Sequence, residues 1–312
     1  MRSISVFFLA LGLSFTLGCA GRPSSSSTSP QGASHPAGAG GAPAPASGPL
    51  FPSAAWLDHP PAGPALNISG MASGLTFHLN TRDGGFDYPV QYADGSRGCT
   101  AFTDTRLLNY RDHICVPNPV GGFHPAYGAW GADDGHLIVV DASNHTYYDF
   151  WKLSVDANGQ PLSTNVGQIV SGSLDGNGTP GTTAAGITGL AGDILPGELA
   201  CSTCLRHALS VVVPGPLNST QVGTQAPAAK TDGTVPGAIF REGAKIRFDP
   251  SVDVDALPAS IAVKAVLHAL QDYGGVIVDQ TGGTGITFYT ALPVAPDLTG
   301  INLIGQHLWI YY

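Results

Sequence analysis

Short apolar runs, broken every few residues by Gly, Pro, Asn and Asp, set the pattern of this chain. That pattern predicts many strands and few helices. Residues 137–140 are the clearest strand, four aliphatic side chains in a row. Asp141-Ala142-Ser143-Asn144 reads as a turn and 146–153 as the returning strand, so the pair predicts a β-hairpin. Residues 75–79, 166–174, 209–213, 276–278, 286–289 and the aromatic end 303–312 predict further strands. Lys245, Arg247 and Asp249 alternate with Ile246 and Phe248, as on a half-buried strand.

Two segments carry helical signals. Leu195-Pro196-Gly197-Glu198 places Pro and Glu in a first turn and predicts a helix to about residue 205. A second helix is bounded by Pro258 and by Gly274-Gly275. Within it Val263, Val266, Leu267, Leu270 and Tyr273 form an apolar stripe, with Lys264, His268, Gln271 and Asp272 opposite. Strands without a βαβ alternation predict a mainly β fold. The expectation is a β-sandwich or partly closed barrel with two short peripheral helices, and the alternative is α+β.

The first residues change the picture of where the protein works. Arg2 and the apolar run 6–15 read as a signal peptide over 1–18, too short to remain as a membrane span. Leu17-Gly18-Cys19 resembles a bacterial lipobox and predicts lipidation of Cys19, although Thr16 departs from the usual aliphatic residue. The alternative is cleavage nearby and release. Residues 19–49 are Ser, Pro, Ala and Gly with almost no charge, a composition that cannot offset its ordering entropy and predicts a disordered tether. Residues 50–312 are read as a single β-rich domain.

Charge and cysteines narrow the partners. Lys and Arg number 13 against 22 Asp and Glu, a net charge of −9 that argues against nucleic acid. Beyond Cys19 four cysteines remain, an even number that predicts two disulfides in an exported protein. Cys99 with Cys115 and Cys201 with Cys204 is the most local of three pairings. Cys201-Ser202-Thr203-Cys204 also has the spacing of a redox motif or half a zinc site, but no second such pair exists. The loop starting at Asp175 has Gly186 where a calcium loop needs Glu. No metal or cofactor is expected. No nucleophile elbow, phosphate loop or HExxH motif occurs.

Candidate chemistry centres on Asp134-Gly135-His136 at the start of the clearest strand. Alternation puts His136, Ile138 and Val140 on one face and Leu137, Val139 and Asp141 on the other. Asp134 can then pair with His136, a carboxylate fixing an imidazole for acid–base work. Asp141 faces away, as a turn former or a binding residue. His207 stands at the predicted junction of helix and strand, as catalyst or helix cap. Arg247 is a candidate clamp for an anionic or hydroxyl-rich ligand, against the plainer reading of a solvated ladder. Asp279 follows the apolar run 276–278, as a turn start or a catalytic carboxylate.

Three segments carry a resemblance. They are Asp134-x-His136-x-x-Val139-Val140-Asp141, His207-Ala208-Leu209, and Ala269-Leu270-x-x-Tyr273-Gly274-x-x-x-x-Asp279. In order and spacing they resemble a group of uncharacterised secreted bacterial proteins common in actinobacteria, in which Arg stands at the place of Gly135. The resemblance implies no settled activity, but it adds weight to His136, His207 and Asp279. The resulting expectation is an exported, lipid-anchored protein acting on extracellular polysaccharide by hydrolysis or β-elimination, with His136, His207, Asp134 and Asp279 as its acid–base groups. The rival is a non-catalytic surface lipoprotein binding glycan or a partner protein. Its aromatics, Trp56, Tyr88, Tyr92, Trp130, Tyr147, Tyr148 and Trp151, would either stack on sugars or fill the core.

Overall fold

A computed structural model describes residues 51, 54–81, 88–93, 95–106, 113–125, 134–175, 179–223 and 226–312. The predicted leader, Cys19, the tether and Trp130 lie outside the described residues. Strands follow in the order β1 (Ala65–Asn67), β2 (Phe77–Leu79), β3 (Val90–Ala93), β4 (Cys99–Asp104), β5 (His113–Pro117), β6 (Leu137–Asp141) and β7 (Thr146–Trp151). They continue with β8 (Asn165–Val166), β9 (Gln168–Ser173), β10 (Leu209–Pro214), β11 (Lys245–Phe248), β12 (Gly275–Thr281), β13 (Ile286–Phe288) and β14 (Leu308–Tyr311). Helices are few: α1 (Ala55–Asp58), α2 (Ser69–Ala72) and α3 (Ile261–Asp272).

Three sheets form, none of them a closed barrel among the described residues. One runs β1-β14-β11-β12-β10-β13-β2, a second β3-β6-β7-β9, and a third β5-β4-β8. The fold is mainly β and sandwich-like, as the apolar pattern predicts. Three cores account for the stacking. Leu209, Val211, Val213 and Ile246 of the large sheet pack against Val263, Val266, Leu267 and Leu270 of α3. On the other face Val212, Val276 and Val278 meet Ile138, Val140 and Tyr147 of the second sheet. Beyond that sheet Leu137, Val139 and Phe150 meet Phe102, Val116 and Phe123. Strand β6 is therefore buried on both faces, which is why its sequence is continuously aliphatic instead of alternating. Each of its four aliphatic side chains stabilises the fold by roughly 1.5–3 kcal/mol.

The β6–β7 hairpin forms as predicted, with Asp141 opposite Thr146. Both disulfides adopt the most local pairing, Cys99–Cys115 across β4 and β5 and Cys201–Cys204 within a turn. Three expectations need correction. The predicted helix 195–205 is a series of turns: Gly197 has φ +96°, and Cys201 is tied to Cys204. The Glu198 carboxylate accepts the Leu195 amide at 2.7 Å, a local bond that competes with helix formation. Helix α3 starts later than Pro258, because Ser260 caps it by accepting the Val263 amide at 3.3 Å. At the other end, only Leu308–Tyr311 is strand. Ile301–His307 is a 3-10 helix entered through Gly300 at φ +87°.

Candidate active site

The site lies where one end of the second sheet faces the large sheet. Val90 of β3 pairs with Ile138 of β6. Two residues earlier on each chain, Tyr88 and His136 come side by side and stack, with ring centroids 4.4 Å apart and 27° between planes. Ile138 pairs in turn with Asp149 of β7, so Asp149 shares the face of Ile138. Strand parity thus puts Tyr88, His136 and Asp149 on one surface, turned toward the large sheet.

The large sheet supplies Asp279 by an irregularity. Val211 pairs with Ile277, but Val212 pairs with Asp279, so β12 carries one extra residue. Strict alternation from Val276 and Val278 would send Asp279 to the α3 side. The bulge returns it to the face of Val212. There its Oδ2 accepts the Tyr289 hydroxyl at 2.9 Å and the Ala184 amide at 3.4 Å, and its Oδ1 accepts the Gln280 amide at 2.8 Å. The Tyr289 and Tyr88 rings are 5.0 Å apart. His136, Tyr88, Tyr289 and Asp279 therefore form one continuous group linking the two sheets.

Asp149 is fully buried. Its Oδ1 lies 2.8 Å from the Tyr88 hydroxyl and 2.7 Å from Thr182 Oγ1, and its Oδ2 accepts the Thr182 amide at 3.3 Å. Burial raises its pKa, against the opposing pull of the Thr182 bond and of His136. His136 Nδ1 lies 3.2 Å from the Phe150 carbonyl oxygen. That oxygen can only accept, so Nδ1 carries the proton and the neutral ring has its lone pair on Nε2. Burial lowers the His136 pKa more than Asp149 and Asp134 raise it, which keeps the ring neutral at pH 7. Burial pushes Asp279 the other way, to about 6, with help from the nearby Asp232 charge. Burial also holds Tyr88 and Tyr289 well above 10, so both are neutral donors. Another carboxyl, that of the buried Glu242, is raised to about 8 by burial and by Asp232, and feels Asp279. Asn218 Nδ2 donates to its Oε1 at 3.1 Å.

The sequence candidates divide. His136 and Asp279 meet through the two tyrosines, and Asp134 stands exposed beside them, accepting Trp151 Nε1 at 3.3 Å. Asp279 lies inside β12 and not at a turn start. His207 belongs to a different group. Its Nε2 contacts Glu198 Oε1 at 3.2 Å and its Nδ1 the Ala208 carbonyl at 2.8 Å. Burial opposes its charge, but Glu198 and the carbonyl outweigh burial and raise its pKa. Asp141 is spent on its turn, taking Ser143 Oγ at 2.6 Å and Asn144 Nδ2 at 2.7 Å. Arg247 Nε donates to the Gln271 carbonyl of α3 at 2.8 Å, so its guanidinium is engaged with the helix end.

Sequence reasoning missed Asp149, Thr182, Tyr289 and Glu242. Asp149 had a legible signal: on β7 it shares the inward parity of Tyr147, which makes it a carboxylate aimed into the core. Thr182, Tyr289 and Glu242 had none, because loops and chain crossings place them. Among the described residues no group of three or more His, Cys, Asp and Glu could hold a metal ion, and no helix is long and apolar enough to cross a membrane. Comparison with models of protein families, with curated proteins and with solved structures found no match.

Proposed function

We propose that this protein is an exported acid–base enzyme that cleaves an extracellular polysaccharide. One observation carries the reading: a neutral histidine and a carboxyl of raised pKa meet across a pair of buried tyrosines. His136 Nε2 is the base and Asp279 the acid. Asp149, Tyr88 and Thr182 position the imidazole. In hydrolysis His136 takes a proton from water as its oxygen attacks the anomeric carbon, and Asp279 protonates the departing oxygen. In β-elimination His136 takes the proton next to a uronate carboxyl, a double bond forms, and Asp279 again protonates the departing oxygen. Tyrosines held above their usual pKa are poor bases, which favours His136 in that role under either reaction. The disulfides suit an oxidising compartment. Anchoring through Cys19 rests on the lipobox-like leader alone.

Activity needs His136 neutral and Asp279 protonated. The pH–rate profile is therefore expected to peak on the acid side, above the lowered His136 pKa and below about 6. His136→Gln is expected to lower kcat by about 10²–10⁴-fold and to remove the acid limb. A polysaccharide panel read by reducing ends and by the absorbance of unsaturated products tests this and separates the two reactions. Glycan binding without any product from the wild type would instead establish the surface-lectin reading, and wild-type turnover unchanged in both His136→Gln and Asp279→Asn would end the mechanism.

A further inference from the structure

A basic group stands beside the acid–base site. Arg106 Cζ lies 4.2 Å and Lys152 Nζ 4.4 Å from the centroid of the Trp151 ring. The same indole donates to Asp134, and the Lys152 amide donates to the Asp134 carbonyl at 2.7 Å. Gly167 makes the arrangement possible, since a Cβ there would stand 2.6 Å from the indole. Arg106 Nη1 is oriented by Gln168 Oε1 at 2.8 Å. Lys230 completes the group. Its stem lies along Gly186, in the loop whose Ala184 amide reaches Asp279. Burial, and next the Arg106 guanidinium, push the Lys230 pKa down, while Asp279, Glu242 and Asp232 pull it up.

Three cations thus flank the site in a chain with 13 basic and 22 acidic residues. Among the described residues none of the three forms an ion pair with a carboxylate. Asp134 beside the indole and Asp279, Glu242 and Asp232 near Lys230 offset part of this positive charge from a distance, and an anionic ligand would offset the rest. The Trp151 ring holds Arg106 and Lys152 in place by cation–π contact. We infer that Arg106, Lys152 and Lys230 form the subsite for the negative groups of an anionic polysaccharide, one bearing carboxylates or sulfate esters. This rests on the enzyme reading for the polymer class, and the cation geometry supplies the charge. Arg106, the planar donor of the three, would take a carboxylate or sulfate by two bonds, while Lys152 and Lys230 act as point charges.

The test separates binding from turnover. Titration calorimetry on the exported protein uses polygalacturonate against its methyl ester, and dextran sulfate against dextran, in low salt. The expected result is binding of at least one anionic polymer at least about tenfold tighter than its neutral counterpart, lost about tenfold in Arg106→Gln/Lys152→Gln/Lys230→Gln and weakened by salt. A chain of net charge −9 has no general attraction for polyanions. The better-bound member of the two anionic polymers tells carboxylate from sulfate. Equal binding of neutral and anionic forms, no binding of either polyanion, or a triple variant as tight as the wild type would overturn the subsite. So would a single-stranded oligonucleotide bound as tightly. If the triple variant does not fold, Lys152→Glu alone, at an exposed position, must weaken the anionic arm. Selective anionic binding with no product from any polymer would refute the enzyme and leave the subsite standing.

Discussion

Asp279→Asn tests the site through stability, independently of any substrate. Asp279 has an ordinary value of 3.8 and is raised to about 6 in the folded protein. Folded Asp279 holds its proton more tightly than the unfolded chain does, so its ionisation weakens the fold. The stability it contributes is complete below pH 3.8 and is lost as pH rises through about 6. The rise from 3.8 to about 6 corresponds to about 3 kcal/mol. Asparagine removes that pH-dependent loss. It also turns an NH2 toward one of three donors, Gln280 N, Tyr289 OH or Ala184 N, at a cost of about 1–2 kcal/mol. The variant is therefore expected to be more stable than wild type by about 1–2 kcal/mol at pH 7.5 and slightly less stable near pH 4. Urea unfolding across that range reads the difference, which should swing by about 2–3 kcal/mol. A difference constant with pH, or one growing toward acid, would refute a proton-holding Asp279 and the acid assigned to it.

Other changes probe the scaffold. Asp149→Ala strips Tyr88 OH and Thr182 Oγ1 of their shared acceptor and should cost about 2–4 kcal/mol in urea unfolding, against about 1 for Asp149→Asn. Equal costs would show that the acceptor oxygen is unimportant. Gly135 has φ +43° and an added Cβ would collide with the Leu153 backbone; Gly135→Ala should therefore cost at least about 2 kcal/mol in thermal melts and displace His136, lowering turnover. A silent substitution would contradict this. Opening Cys99–Cys115, which closes a separation of 16 residues, should destabilise by about 3 kcal/mol, and opening Cys201–Cys204, with a separation of 3, by about 2. The reverse order in denaturant midpoints would point to strain or residual structure in place of loop entropy.

Much of the fold was legible because local rules governed it. Residues 137–140, four aliphatic side chains in a row, read as a buried strand, and the Asp141 turn follows from its own side-chain bonds. The α3 stripe sits at helical spacing and meets one core. The segment 195–205 misled because Pro and Glu signal a helix start equally well in a turn. There Gly197 and the short disulfide outweighed propensity.

The site divides along the same line. Strand parity, a property of covalent geometry, determined that His136 shares a face with Ile138 and that Asp141 turns away. It would have misplaced Asp279, because a single extra residue in β12 reverses the face, and a bulge is set by how β10 and β12 pair. Only the packing of the two sheets decided that Tyr88 and Tyr289 touch, and only the folded turn at 195–207 and the approach of β4 to the second sheet brought His207 to Glu198 and Arg106 to the Trp151 ring. Residue type and period are local and can be read along the chain. The burial that raises Asp279 and lowers His136 exists only once two distant sheets exclude water between them.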